Sequence, residues 1–374
     1  MHRATVTLLF ALGASSANAQ PQTEATPPTA SAAAETPTLH IYTNLKQVPV
    51  LVLSHDYRRM KPVDTSGFRL SLDSGPRFRP TYIRREGDDP ISLGILIDES
   101  NPQSELLPTL AEAIAALPPD FLHPQDHVSV YAVDCSLIRT TYDASASPAV
   151  LLDGVQRAME PWSFRQTQNE ELKKQKKAPP PPCKIGLPLW DSMTEVLLDL
   201  DQQPGRRVLL AITNGEDTGS KALWKDVMLH AQLHSVSVFG LLQNPVIQKP
   251  LETSEMAPFH SFFVKTSEDK FEQICVNSGG IPLQASEHTT IFRLKEFTQM
   301  LRERYILEFP RAPNEEAGMH TLAVSYRKKS NFYIAATGIS VPIASDDEKK
   351  GTNTIQGDPS RAPTEGGRKV LLPK

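Results

Sequence analysis

ISLGILIDES, residues 91–100, is the stretch that decides the fold. Up to Asp98 its positions are apolar or small with no polar alternation, the pattern of a strand buried on both faces of a parallel sheet. LLPTLAEAIAALP (106–118) follows, with Leu106, Leu110, Ile114 and Leu117 at helical spacing. HVSVYAVD (127–134) and LIRTTYD (137–143) read as two strands with a two-residue connection, so one of them runs antiparallel at a sheet edge. SPAVLLDGVQRAME (147–160) opens a helix with Ser147 as N-cap and Pro148 in the first helical position. LWDSMTEVLLDLD (helix), RRVLLAITN (strand), KALWKDVMLHAQLHS (helix) and VSVFGLLQ (strand) continue the alternation. DKFEQICVNSGG (a helix ended at Gly279), IPLQAS (strand) and FRLKEFTQMLRERY (292–305, helix) complete it. The fold class predicted is α/β, a doubly wound Rossmann-like domain with ligands received beyond the carboxyl ends of its strands.

Two β-rich pieces flank this core, LHIYTNLKQVPVLVLSHD with FRLSLDS and RPTYIRRE before it, and YILEFPRA, HTLAVSYRK and FYIAATGISVP after it. Neither has enough strands for a core of its own, so the expectation is one β-sandwich into which the α/β domain is inserted. FRQTQNEELKKQKKAPPPP (164–182) shows no periodic apolar face and ends in a proline run, and reads as a surface insertion. The organisation expected is a signal peptide at 1–19, a disordered linker at 20–38, an N-terminal β part at 39–88 and the α/β domain at 89–290. A C-terminal helix and β part at 291–345 and a disordered tail at 346–374 follow. The signal is read from Met1-His-Arg3, the short apolar run from Ala4 to Gly13 and the small-x-small site Ala17-Asn-Ala19. It predicts export to the periplasm or the extracellular space, and no later run is long and apolar enough for a membrane span.

Lys and Arg number 39 against 43 Asp and Glu, a net charge of −4. So balanced a chain without a dense basic block is not built to bind nucleic acid by counterion release. Three cysteines allow at most one internal disulfide, and Cys135 with Cys183 is the candidate pair, each lying next to an element expected to end at one sheet edge. Cys275 sits on the apolar face of its helix with Phe271 and Ile274 and reads as a small core residue. His230 and His234 share a helix face at i, i+4 without a third ligand at metal spacing, and read as surface or half-buried side chains. HExxH, G-x-S-x-G, Walker A, G-x-G-x-x-G and Cys-x-x-Cys patterns are absent, so the chain is expected not to be an enzyme.

Asp98-Glu-Ser100 follows the first strand of the core and Asn214-Gly-Glu216-Asp-Thr218 follows RRVLLAIT. Both loops belong at the ligand edge of a doubly wound sheet. With GILIDES, HVSVYAVD, the GLPLWDS run at 186–192 and RRVLLAITNGEDTGS, the chain resembles a von Willebrand factor type A domain. QVPVLVLSHDYRRMKPVDTSGFRLSLDSG and LRERYILEFPRAPNEEAGMHTLAVSYRK resemble the flanks of the related exported proteins abundant in Acidobacteria. The resemblance spans most of 40–342. It implies a metal-ion-dependent adhesion site of the form Asp-x-Ser-x-Ser, then a Thr, then an Asp. Asp98 and Ser100 match, whereas Pro102 stands at the second Ser, Leu187 at the Thr and Asn214 at the Asp. The resemblance therefore implies a degenerate site, with Asp98 and Ser100 as vestigial metal positions. The reading is a non-catalytic module without cofactor that binds a protein partner near Asp98, Ser100, Asn214 and Glu216, or through the proline-bearing insertion. The alternative is an adhesion domain in which Mg²⁺ bridges Asp98 and Ser100 to a partner carboxylate.

Overall fold

The computed structural model describes residues 45–54, 58–101, 104–178, 186–243, 269–310, 318–326, 332–336 and 339–341. All of them belong to one compact unit, Thr43–Lys374. The expected signal, linker and tail lie outside the described residues, as do Pro102 and Cys183.

The chain enters through β1 (Leu45–Ser54), β2 (Phe68–Leu72) and β3 (Tyr82–Arg85). It then runs β4 (Ile91–Asp98), α1 (Leu107–Ala115), β5 (His127–Val133), β6 (Leu137–Ser145), α2 (Pro148–Ala158) and α3 (Glu160–Lys174). α4 (Leu189–Asp201), β7 (Arg206–Thr213), α5 (Trp224–Leu233), β8 (Ser237–Gln243), α6 (Lys270–Asn277), β9 (Pro282–Ala285) and α7 (Thr290–Glu303) continue the alternation. β10 (Tyr305–Pro310), β11 (Gly318–His320), β12 (Leu322–Tyr326), β13 (Phe332–Ala336) and β14 (Ile339–Val341) follow.

Strands β4 to β9 form one sheet in the order β6-β5-β4-β7-β8-β9, parallel except for β6, which pairs antiparallel to β5 at the edge. Central β4 is buried along its whole length, and successive residues face opposite layers. Leu93, Ile95 and Ile97 pack with α1, α2 and α7, while Leu96 packs with α4, α5 and α6. The result is a three-layer, Rossmann-like α/β domain. Local chemistry sets the helix ends. Ser147 Oγ accepts from the Val150 N–H at 3.3 Å as the N-cap of α2. Gly279 follows α6 with φ +89°, a conformation that favours glycine.

The first and last pieces of the chain pair with each other. β10 lies between β1 and β3, β13 lies outside β1, and β2 pairs with β12, all antiparallel. Val48 and Val50 of β1 share an apolar cluster with Phe68 and Leu70 of β2, Leu307 and Phe309 of β10, and Leu322 and Val324 of β12. Leu51 and Leu53, on the opposite face of β1, join the α7 side of the α/β core instead. One strand thus welds the two cores.

The segment expected as an irregular insertion begins inside α3, which runs to Lys174. No α3 residue is buried, which is why no apolar period announced it. Good helix formers in Glu-Glu-Leu-Lys-Lys sustain it, with Glu160 in its first turn and Lys173 and Lys174 in its last, as the helix dipole favours. Residues 179–185, with the proline run, lie outside the described residues. Among the described residues no helix is long and apolar enough to cross a membrane.

The two places where the chain passes between its β and α/β parts are locked by ion pairs. Arg304, between α7 and β10, grips Glu86, just after β3, through Nε at 2.7 Å and Nη2 at 2.8 Å, with both residues 1% exposed. Beside it Arg302 reaches the buried Asp126 carboxylate, which also accepts the Ile91 and His123 backbone N–H groups at 3.0 and 2.7 Å. Removing one partner of such a pair strands a buried charge. Arg304→Met is expected to lower the unfolding free energy by about 3–5 kcal/mol in urea titration. The double change Glu86→Leu with Arg304→Met should recover much of that loss. A single variant as stable as the parent would contradict the role assigned to this pair.

Candidate functional site

The sheet order reverses between β4 and β7, the place where a doubly wound sheet receives ligands at the carboxyl ends of its strands. Asp98 ends β4 and Thr213 ends β7, which brings the two sequence-predicted loops together. Asp98 is only 6% exposed, and its carboxylate is met by four donors. Ser100 supplies its backbone N–H at 2.9 Å and its hydroxyl at 2.6 Å to Oδ1, and the Thr213 hydroxyl donates to Oδ2 at 2.7 Å. The backbone N–H of Asn214 donates to the same carboxylate. Burial raises the Asp98 pKa, and these hydrogen bonds oppose the rise. Thr213 Oγ1 also accepts the Gly215 N–H at 3.0 Å, tying the next turn to the same point.

Of the remaining predicted positions, Asn214 turns its amide away from Asp98. Its Oδ1 accepts the Glu216 N–H at 3.0 Å and its Nδ2 donates to Glu216 Oε2 at 3.3 Å. Glu216 is exposed at the outer end of the loop. Leu187, at the position where the resemblance expects Thr, is buried in the cluster beneath α4 and α5. Its backbone is zipped to the β7–α5 loop. Leu187 N donates to Thr218 Oγ1 at 2.8 Å, and Leu187 O accepts from Thr218 N at 3.1 Å and Gly219 N at 2.8 Å. Gly186 makes that approach possible with φ +84°, since a Cβ there would stand 2.7 Å from Thr218 O. Asp217 accepts the Trp190 N–H at 3.2 Å and the Ser220 hydroxyl at 2.5 Å, and so serves the start of α4.

Three charged groups that the sequence reading missed complete the rim. Glu99, next to Asp98, is 1% exposed and its Oε1 has no hydrogen-bond partner among the described residues. Asp134 follows β5, the neighbour of β4. Arg165, on the second turn of α3, pairs with Asp134, lies 3.7 Å from Glu99 Oε2, and donates to the Glu99 carbonyl at 2.9 Å. Trp162 adds a bond from Nε1 to the Asn101 carbonyl at 3.3 Å. Asp134 could have been found as the last residue of HVSVYAVD, because strand carboxyl ends collect functional groups. Arg165 carries no such signal, since it reaches Glu99 across 66 residues of sequence.

A hard divalent cation, which the resemblance implies, needs free oxygen lone pairs, several of them charged. An ionised carboxylate offers about four lone-pair sites, and the four donors on Asp98 use that capacity. Asn214 is neutral and points elsewhere, Leu187 has no donor oxygen in its side chain, and a fixed guanidinium stands on Glu99 and Asp134. These residues do not fit such an ion. Among the described residues no group of three or more His, Cys, Asp or Glu side chains is placed to hold a metal.

The other candidates lie away from the rim. Cys135 is disulfide-bonded, while its expected partner Cys183 lies outside the described residues. Cys275 is a free thiol buried in the core, and burial pushes its pKa well up. His230 and His234 are half-buried and stacked with ring centroids 5.9 Å apart, and His234 Nδ1 stands 3.1 Å from Asp201.

A scan against protein-family models finds no match, and a search of the curated proteins finds none. Solved structures that the chain is similar to include von Willebrand factor type A from Catenulispora acidiphila, at 7% identity and TM-score 0.41, covering 82% of this chain and 75% of that one. Another is the conserved hypothetical protein BatB from Bacteroides thetaiotaomicron, at 14% identity and TM-score 0.33, covering 56% and 98%. A third is a manganese-loaded TRAP protein of Plasmodium vivax, at 12% identity and TM-score 0.31, covering 68% and 96%. At such TM-scores they stand as likenesses, beside a topology read directly from the strand order.

Burial pushes the Glu99 carboxyl up to about 7 from 4.5, with Arg165 opposing the shift and the charges of Asp134 and Asp98 adding to it. The folded state then holds this proton more tightly than the unfolded chain, so stability falls as pH rises from about 4.5 through 7. Glu99→Gln has no charge to lose and is expected to flatten that slope in urea unfolding across the window. A slope unchanged by the substitution would show Glu99 to be solvated.

Proposed function

We propose that this chain is a non-catalytic, exported protein-interaction module of the von Willebrand type A kind, whose rim works without a metal ion. The observation that carries the reading is the saturation of Asp98 by Ser100, Thr213 and Asn214. A carboxylate spent on four internal donors is free neither to ligate a cation nor to act as a general base, so it serves to hold the β4 and β7 loops in register. The Asn214–Glu216 turn fixed by that register is the surface offered to a partner, with Glu216 and Thr218 exposed. A rigid polar loop of this kind binds with little ordering cost. The disulfide at Cys135 supports an oxidising compartment and hence export.

The test is affinity capture from envelope extract on the immobilised chain, with and without EDTA. The expectation is one set of captured proteins, retained in EDTA and lost when Glu216→Arg and Asn214→Arg are combined. Capture abolished by EDTA would favour a cation-dependent adhesion domain, and capture indifferent to the double variant would move the interface off this rim.

A further inference from the structure

A second site is built from residues the rim does not use. A cavity of about 660 Å³ opens between the segment after β1, the turn after α1 and helix α7, lined by Arg58, Arg59, Phe121, Phe292, Arg293 and Lys295. Glu296 and Gln299 complete its wall. We propose that this cavity binds a small organic anion carrying an aromatic ring. Its volume is that of small-molecule pockets, which run roughly from 300 to 1,000 Å³.

The charge in the cavity is set by which cations are already spent. Arg59 is clamped by Glu303, with Nε at 2.8 Å from Oε2, and by Gln299. Arg293 holds Glu296 at 2.6 Å. Among the described residues Arg58 and Lys295 have no carboxylate partner, and the four cations of the lining outnumber its one carboxylate, Glu296. The Arg58 carbonyl accepts the Ser54 N–H at 2.8 Å, the Arg58 N–H donates to Ser54 Oγ at 3.1 Å, and Arg59 bridges to Leu53 of β1. Lys295 stands over the Phe121 ring at 5.2 Å and Arg293 over Phe292 at 5.7 Å. Phe292 is 61% exposed, an apolar ring left uncovered in the same lining. An acid group placed against Arg58 and Lys295 would compensate those charges, and a flat ring attached to it would cover Phe292.

The probe is anilinonaphthalene sulfonate, a fluorescent aromatic anion, compared with its uncharged counterpart N-phenylnaphthylamine. The wild-type chain is expected to bind the anion saturably at one site, more tightly than the uncharged ring, and less tightly as salt is added. Lys295→Glu and Arg58→Glu should each weaken the anion about tenfold, the size of one charge-assisted contact, and leave the uncharged ring unaffected. Both side chains lie outside the apolar clusters, and an unchanged urea midpoint confirms folding of each variant. Absence of saturable binding, equal affinity for the two probes, or binding that survives both charge reversals would overturn the proposal. The comparison of the two probes on the wild-type chain decides the matter even if a variant does not fold.

Discussion

The carboxylate of a residue only 6% exposed has to be compensated where it sits, and the way Asp98 is compensated governs the ends of the strands around it. An isolated buried charge costs several kcal/mol, so either a cation or a set of hydrogen-bond donors must meet it. Here the donors are Ser100 from its own loop and Thr213 and Asn214 from the end of β7. Because they come from two adjacent parallel strands, satisfying Asp98 also ties the carboxyl ends of those strands together. The neighbouring charges are settled separately, by a guanidinium on Asp134 and Glu99. Arg165 brings α3 down onto the rim and balances part of a negative cluster with a group that cannot dissociate. Chelators and pH within the physiological range leave that cation in place.

The rest of the architecture keeps those strand ends where they are. The α/β sheet is entered after Glu86 and left at Arg304, and their bidentate pair holds entry and exit together. Leu51 and Leu53 on one face of β1, and Val48 and Val50 on the other, make the α/β core and the β core share a strand. A rim borne on a doubly anchored sheet can present a fixed surface, which suits recognition better than a loop that must order on contact.

Much of this was legible in the amino-acid order, because burial leaves a period. ISLGILID is apolar throughout since β4 is covered on both faces, and Ser147 and Gly279 mark helix ends through their own backbone chemistry. Asp98, Ser100 and Asn214 were found because strand carboxyl ends are where a doubly wound sheet collects polar groups. Thr213 was overlooked because it closes a strand whose other late residues are core. Glu99 hid beside Asp98, where a run of polar residues reads as a solvated loop. The helix α3 buries nothing and so has no stripe, and Arg165 acts through partners far away in sequence. Long-range ion pairs leave no periodic trace.

Hydrogen bonds on Asp98 occupy the lone pairs a divalent ion would need. Calorimetric titration of the folded chain with Mg²⁺ and Mn²⁺ tests it most directly. The account predicts no saturable heat up to millimolar ion and no change on Asp98→Ala, since one charged ligand binds such ions weakly at best. Micromolar binding of either ion, abolished by Asp98→Ala, would contradict it.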